Sequence, residues 1–187
     1  MEFIKICKSF DGNIILDDVS LLIPKGSRVL ITAPSGRGKT TLLRIMMGLL
    51  PPDSGSVVNR PARQAAVFQE DRLPEEFTAV NSVKMTCRRG VSKQLIREHL
   101  AEVGLAEHTE KPVAQLSGGM RRRVAIVRAV LGDSEIIYFD EPFTGLDEDT
   151  KMRVIDYIDR HTDGKTLVFV SHNPEDEALL NAKKLSI

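Results

Sequence analysis

Ala33-Pro34-Ser35-Gly36-Arg37-Gly38-Lys39-Thr40-Thr41 follows an apolar run, Val29–Thr32, and leads into a helix-like stretch, Thr40–Met47. It fits G-x-x-x-x-G-K-[ST] at every fixed position but the first, where alanine stands in place of glycine. Glycines let backbone N–H groups turn inward around an anion, and the following helix N-terminus adds the positive end of its dipole. The ligand expected here is the triphosphate of ATP. Lys39 would reach the β- and γ-phosphates, and the Thr40 hydroxyl is placed to hold Mg²⁺. A plain glycine-rich turn before a helix is the bland alternative, and the strand, helix and Gly-Lys-Thr junction together argue against it. If position 33 needs a positive φ, alanine costs on the order of 1–2 kcal/mol there. The two remaining glycines should let the loop tolerate that.

A second chemical feature is Ile136-Ile137-Tyr138-Phe139-Asp140-Glu141, a hydrophobic strand ending in two carboxylates. Consecutive side chains diverge at a strand end, so the two can take different tasks. Asp140 would support Mg²⁺ through its water shell, while Glu141 would polarise the attacking water. General-base action of that kind contributes about 10²–10⁴-fold. Val168-Phe169-Val170-Ser171-His172 repeats the design and delivers His172 towards the γ-phosphate. Leu116-Ser117-Gly118-Gly119-Met120 precedes a helix with Val124, Val127 and Leu131 on one face. Ser117 is a natural N-cap, and Gly118 and Gly119 expose N–H groups at the positive helix end. One triphosphate hardly needs two helix N-termini from one domain, whereas a pair of subunits would use both.

These residues need a scaffold. At 187 residues, 42% hydrophobic and 28% charged, the chain suits one well-packed globular domain. Lys plus Arg and Asp plus Glu are 26 each, a balance that argues against a nucleic-acid partner held by bulk charge. Cys7 and Cys87 have no ligand-like spacing, which fits a reduced cytoplasmic interior. No apolar run approaches the roughly 18 residues of a membrane span, and the N-terminus does not read as a signal peptide. Phe3–Cys7, Val19–Ile23 and Val29–Thr32 read as strands separated by Asp11-Gly12-Asn13 and Pro24-Lys25-Gly26. Ala65–Phe68 reads as a buried strand, and strands return at Ile136–Phe139 and Leu167–Val170 around a helix carrying Val154, Ile155 and Ile158. Between Leu73 and Gln115 the pattern is helical, with Ile96, Leu100 and Val103 on one face. Arg121-Arg122-Arg123 reads as a solvated helix face, and methionines such as Met46 and Met47 as core filler.

The ordered series of Phe10, the phosphate loop, Gln69, Leu-Ser-Gly-Gly-Met, Asp140-Glu141, Thr144-Gly145-Leu146-Asp147 and His172 closely resembles the ATP-binding cassette (ABC) ATPases. The resemblance covers essentially the whole chain. It implies an α/β fold: a P-loop NTPase core with a parallel sheet, an N-terminal antiparallel β subdomain and an inserted helical subdomain. It implies one domain over 1–187, with the core at 1–70 and 116–187 and the helical part at about 71–115. By the same resemblance Phe10 would stack on adenine, and Pro34 to Thr41 would wrap the phosphates. Gln69 would approach Mg²⁺ and the attacking water while sensing a transport partner. Ser117, Gly118 and Gly119 would bind the γ-phosphate held by the opposite subunit, and Asp147 would couple the two sites. Met120 departs from the family's usual glutamine, but the backbone donors and Ser117 are intact. The chain stops soon after His172, which reads as a near-minimal cassette.

The resemblance further implies a head-to-tail dimer, of identical or paired cassettes, with two ATPs between subunits. Separate transmembrane permease subunits would carry the solute, with a solute-binding protein in the complex. The chain would sit on the cytoplasmic, inner face of the membrane. Phe68-Gln69-Glu70-Asp71-Arg72-Leu73-Pro74 is similar to the corresponding segment of importers for nitrate, sulfonate or taurine-like solutes. A soluble cassette acting on DNA or ribosomes is the competing class, but the stretch from Lys39 to Ser117 is short and lacks sustained heptads. A small-molecule kinase would leave Leu-Ser-Gly-Gly-Met unexplained.

Overall fold

The computed structural model of the chain describes residues 1–32, 38–173 and 175–186. Three strands open it: β1 (Glu2–Phe10), β2 (Asn13–Leu22) and β3 (Arg28–Thr32). Helix α1 (Lys39–Met47) follows, ending at Gly48 in the left-handed region with φ 77°. Then come β4 (Ser54–Val58), β5 (Gln64–Val67), α2 (Ala79–Lys84) and α3 (Lys93–Glu102). Short 3₁₀ turns at Ala106–His108 and Val113–Gln115 lead to α4 (Gly118–Leu131) and β6 (Ile136–Asp140). The series closes with α5 (Glu148–His161), β7 (Thr166–Val170), α6 (Asp176–Leu179) and β8 (Lys183–Ser186).

Two sheets result. One is antiparallel with order β2-β1-β4, and the other has order β5-β6-β7-β3-β8 with every pairing parallel. All residues of β6 and β7 are buried, as central parallel strands covered on both faces must be. Side chains alternate between two cores. Ile31, Tyr138 and Val168 pack with Phe3, Ile6 and Leu42 beneath the antiparallel sheet and α1. Leu30, Ile137 and Phe169 pack with Val124, Val127, Val154 and Ile158 beneath α4 and α5. Parallel strands place all their carboxyl ends on one edge, and that edge carries the chemistry.

The helical stretch forms where periodicity places it. Thr78 and Ser92 cap α2 and α3, each accepting an N–H three residues on, and Ile96, Leu100 and Val103 are fully buried. Four features differ from the sequence reading. Strands β4 and β8 are short, and their mixed polar and apolar residues give no clear apolar run. The run at 65–68 is an edge strand, β5, in which only Val67 is fully buried. The arginine run on α4 is not a solvated face. Arg122 is 6% exposed, and its guanidinium donates to the carbonyls of Phe68 and Gln69. Arg123 donates to the carbonyls of Gly119, Val103 and Gly104. Met46 is core, as expected, but Met85 and Met152 are exposed. Among the described residues, no helix is long and apolar enough to cross a membrane.

Candidate active site

Residues Ala33, Pro34, Ser35, Gly36 and Arg37 lie outside the described residues. Gly38 starts α1 with φ 80° and accepts the Leu42 N–H at 2.8 Å. Glycine is required there twice over. The backbone is left-handed, and a Cβ would come within 2.7 Å of the Ile15 side chain and 3.0 Å of its carbonyl oxygen. Strand β2 thus presses directly on the base of the phosphate loop. Lys39, Thr40 and Thr41 follow as the first turn of α1, and the positive end of a helix dipole favours an anion.

Asp140, at the end of β6, is 3% exposed, and the Thr40 hydroxyl donates to its Oδ2 at 3.5 Å. Burial raises the Asp140 pKa, and the adjacent Glu141 carboxylate adds to the rise, outweighing the Thr40 hydrogen bond. A hydroxyl and a buried carboxylate are hard oxygen donors, and a cation beside them would relieve the cost of that buried charge. The residues therefore fit Mg²⁺. Glu141 is left-handed, with φ 50°, a conformation costing about 1–2 kcal/mol outside glycine. Its N–H donates to the Val170 carbonyl at 3.0 Å, and its Oε2 lies 2.9 Å from His172 Nδ1. Strain of this kind, held by the neighbouring strand, aims Glu141 away from Asp140 and towards His172.

One cleft of about 470 Å³ is lined by Phe10, Lys39, Thr40, Thr41, Gln69, Asp140, Glu141, Thr144 and His172. Residues from five separate stretches of chain thus face a single space large enough for a small ligand. Phe10, at the end of β1, is 45% exposed, and Lys8 Nζ stands 5.4 Å from its ring centre. Gln69 is exposed, while its backbone is gripped by Arg122, whose Nε also lies 3.2 Å from Asp71 Oδ1.

Ser117, Gly118, Gly119 and Asp147 do not line this cleft. Ser117 caps α4 by accepting the Met120 N–H at 3.3 Å, and Gly118 has open space beside it. A Cβ on Gly119 would meet the Gly145 oxygen at 3.3 Å, so the start of α4 packs closely on the Thr144–Asp147 loop. Asp147 caps α5, taking the Thr150 N–H and hydroxyl at 2.9 Å each, and these bonds lower its pKa. Met120 packs against the helical core. The sequence reading missed a support beneath His172. The buried pair Lys151–Asp176 sits at 2.9 Å, Ser171 Oγ donates to Asp176 Oδ2 at 2.6 Å, and the Asn173 N–H donates to Ser171 Oγ. No spacing motif links Lys151 to Asp176, so only the fold reveals it.

A parallel sheet with a phosphate loop between β3 and α1 and carboxylates at the end of β6 defines a P-loop nucleotide-binding α/β domain. Its particular family follows from comparison. Residues 16–144 match the sequence profile of the ABC transporter family. The chain is 35% identical over 182 residues to the aliphatic sulfonates import ATP-binding protein SsuB 1 of Pseudomonas savastanoi pv. phaseolicola, covering 95% of this chain and 76% of that one. It is 34% identical to the spermidine/putrescine import ATP-binding protein PotA of Fusobacterium nucleatum subsp. nucleatum, over 100% of this chain but 54% of that one. The chain therefore spans about half the length of that relative. The dimeric structure of MJ0796, a bacterial ABC transporter cassette, superimposes with a TM-score of 0.85 at 27% identity, covering 99% of this chain and 94% of that one. A post-hydrolysis state of the same cassette bound to ADP and Pi gives 0.81 at 28% identity, covering 95% and 90%. The chain belongs to the ABC transporter family, as one of its ATP-binding cassettes.

Proposed function

We propose that this cassette binds Mg·ATP and hydrolyses it to ADP and phosphate, and that this powers solute import through separate membrane subunits. The observation that carries the reading is the cleft itself, which gathers Lys39, Thr40, Asp140, Glu141 and His172 at one sheet edge. Import rests on the relatives, whose names describe import ATP-binding proteins.

Each residue then has a task. Lys39 and the N–H groups at the start of α1 hold the β- and γ-phosphates, together with Pro34, Ser35, Gly36 and Arg37. Thr40, Asp140 and Gln69 hold Mg²⁺, which neutralises charge on the phosphate oxygens. Glu141 accepts the proton of the attacking water, and His172, 2.9 Å away, orients that carboxylate and faces the γ-phosphate. Phe10 offers an exposed ring for the adenine. Ser117, Gly118, Gly119 and Asp147 lie outside the cleft because they serve the nucleotide of a second cassette arranged head to tail. The helical stretch at about 71–115 acts as a subdomain that meets the membrane subunits on the inner face of the cell membrane. A solute-binding protein joins through the complex, and no nucleic acid is involved.

Two variants test both halves of this reading. Glu141→Gln keeps ligand contacts and removes the base, so ATP binding should persist while turnover falls about 10²-fold or more. That variant should also dimerise with ATP on size-exclusion chromatography, and adding Ser117→Arg should abolish the dimer. Near-normal turnover would remove Glu141 as the base, and a dimer surviving in the double variant would remove the shared site.

A further inference from the structure

Three side chains outside the cleft bring metal-ligating atoms together. His99 and Glu102 stand three positions apart on α3 and so share a helix face. His161 is the last residue of α5. One ligand atom from each lies within 4.8 Å of the others, the one such group of three among the described residues. His161 Nε2 is already 2.9 Å from Glu102 Oε2, and the His99 and His161 ring centres are 4.5 Å apart.

Two imidazoles and a carboxylate form the donor set of a three-ligand Zn²⁺ site, whereas Mg²⁺ and Ca²⁺ prefer oxygen alone. Ligand atoms around tetrahedral zinc sit about 3.4 Å apart, given bonds of about 2.0–2.1 Å. Closing from the present spacing needs a shift of about 1.5 Å or less, within reach of Glu102 and His161, whose side chains are 28% and 26% exposed. His99 is the fixed member. It is 8% exposed, and its Nδ1 lies 3.0 Å from the Tyr157 hydroxyl, an outer contact of the kind that orients a ligating imidazole. That contact holds the imidazole ring in place.

The charges nearby permit a cation. Arg160 donates to Glu102 Oε2, but Asp156 in turn accepts from Arg160 at 3.1 and 2.9 Å, and Glu98 adds a further negative charge to the field at His99. The ordinary reading of the group is an ion pair beside packed rings, which accounts for Glu102, Arg160 and His161. It does not require His99 to face them from the interior.

We propose that His99, Glu102 and His161 form a Zn²⁺ site, with water at the fourth position, that ties α3 to the C-terminal end of α5. Bound metal then joins the helical layer to a core helix, and binding to the folded state alone raises stability by linkage.

The test uses the full chain, treated with chelator and free of nucleotide, titrated with Zn²⁺ by calorimetry and melted with and without the metal. One Zn²⁺ per chain at micromolar or tighter affinity, with a raised melting temperature, is expected. His161→Gln and Glu102→Gln, at partly exposed positions, should each weaken binding by at least about tenfold, as loss of a contact to a metal site does. His172→Ala controls for metal held by the Glu141–His172 pair and should leave stoichiometry and affinity unchanged. Absence of binding, binding that survives both substitutions, or binding lost with His172→Ala would each overturn the site.

Discussion

Burial and the neighbouring Glu141 carboxylate hold the Asp140 proton more tightly than water would, outweighing the Thr40 hydroxyl and the Arg44 and Arg122 charges that oppose them. A carboxylate whose folded pKa is raised favours folding at low pH and loses that contribution as pH rises through the folded value. In the nucleotide-free protein, ionised Asp140 is therefore a cost at neutral pH. Asp140→Asn should raise the neutral-pH melting temperature without nucleotide, shrink the gain seen on acidification, and weaken the Mg²⁺ dependence of ATP binding. Melts at acidic and neutral pH, with and without Mg·ATP, check all three, and an unchanged neutral melt would contradict the assigned burial cost. Several of these positions at the cleft were legible at the residue scale because they follow short-range rules. Lys39 and Thr40 are placed by a fixed spacing, and Asp140, Glu141 and His172 each stand just where an apolar run stops. Asp147 was legible as a position but not as a helix cap, since its bond to Thr150 was overlooked beside its role in the resemblance.

Helix α4 ties two parts of the cleft together. Its first turn packs on the Thr144–Asp147 loop through Gly119, and one turn later Arg122 grips the backbone at Phe68 and Gln69 while facing Asp71. The planar fork of arginine serves two carbonyls and a carboxylate together, which a lysine point charge cannot. Removing Arg122 leaves the partly buried Asp71 carboxylate without its partner, which is destabilising. Arg122→Gln should lower the melting temperature and reduce turnover more than ATP binding, because the Gln69 backbone loses its anchor. Arg122→Lys should fail to restore turnover, and full turnover in the lysine variant would show that the fork is unnecessary. Element by element, the fully buried strands and the capped, periodic helices were readable because burial imposes a pattern. Strands β4 and β8 were not, because edge strands keep polar residues and draw their stability from a partner far along the chain. Arg122 defied the reading for a related reason: three consecutive arginines look solvated until the facing backbone is known.

At the scale of the molecule, the segment from Gln69 to Val83 carries Leu73, Phe77, Val80 and Val83 as apolar candidates for contact with a membrane partner. The structure narrows that surface. Val80 and Val83 are fully buried in the helical core, and Leu73 packs against the same core. Phe77, 41% exposed, remains as the apolar candidate beside the charged Glu75 and Glu76. Phe77→Asp should weaken co-purification with the spanning subunits from detergent-solubilised membranes, with little change in the isolated chain's melt or basal ATPase. Undiminished co-purification would remove Phe77 as a docking residue. The strand order carries a further consequence, for the protein's birth on the ribosome. Strand β7 lies between β3, which leads to the phosphate loop, and β6, which ends in Asp140. It is also made long after the first and well after the second. Chains emerge N-terminus first at about 5–20 residues per second. Between the making of β6 and the making of β7 the nascent chain thus holds two flanks of a catalytic edge with no wedge between them. It has nothing with which to spend ATP until Thr166–Val170 slides into place, and its exposed strands need shelter for that whole interval.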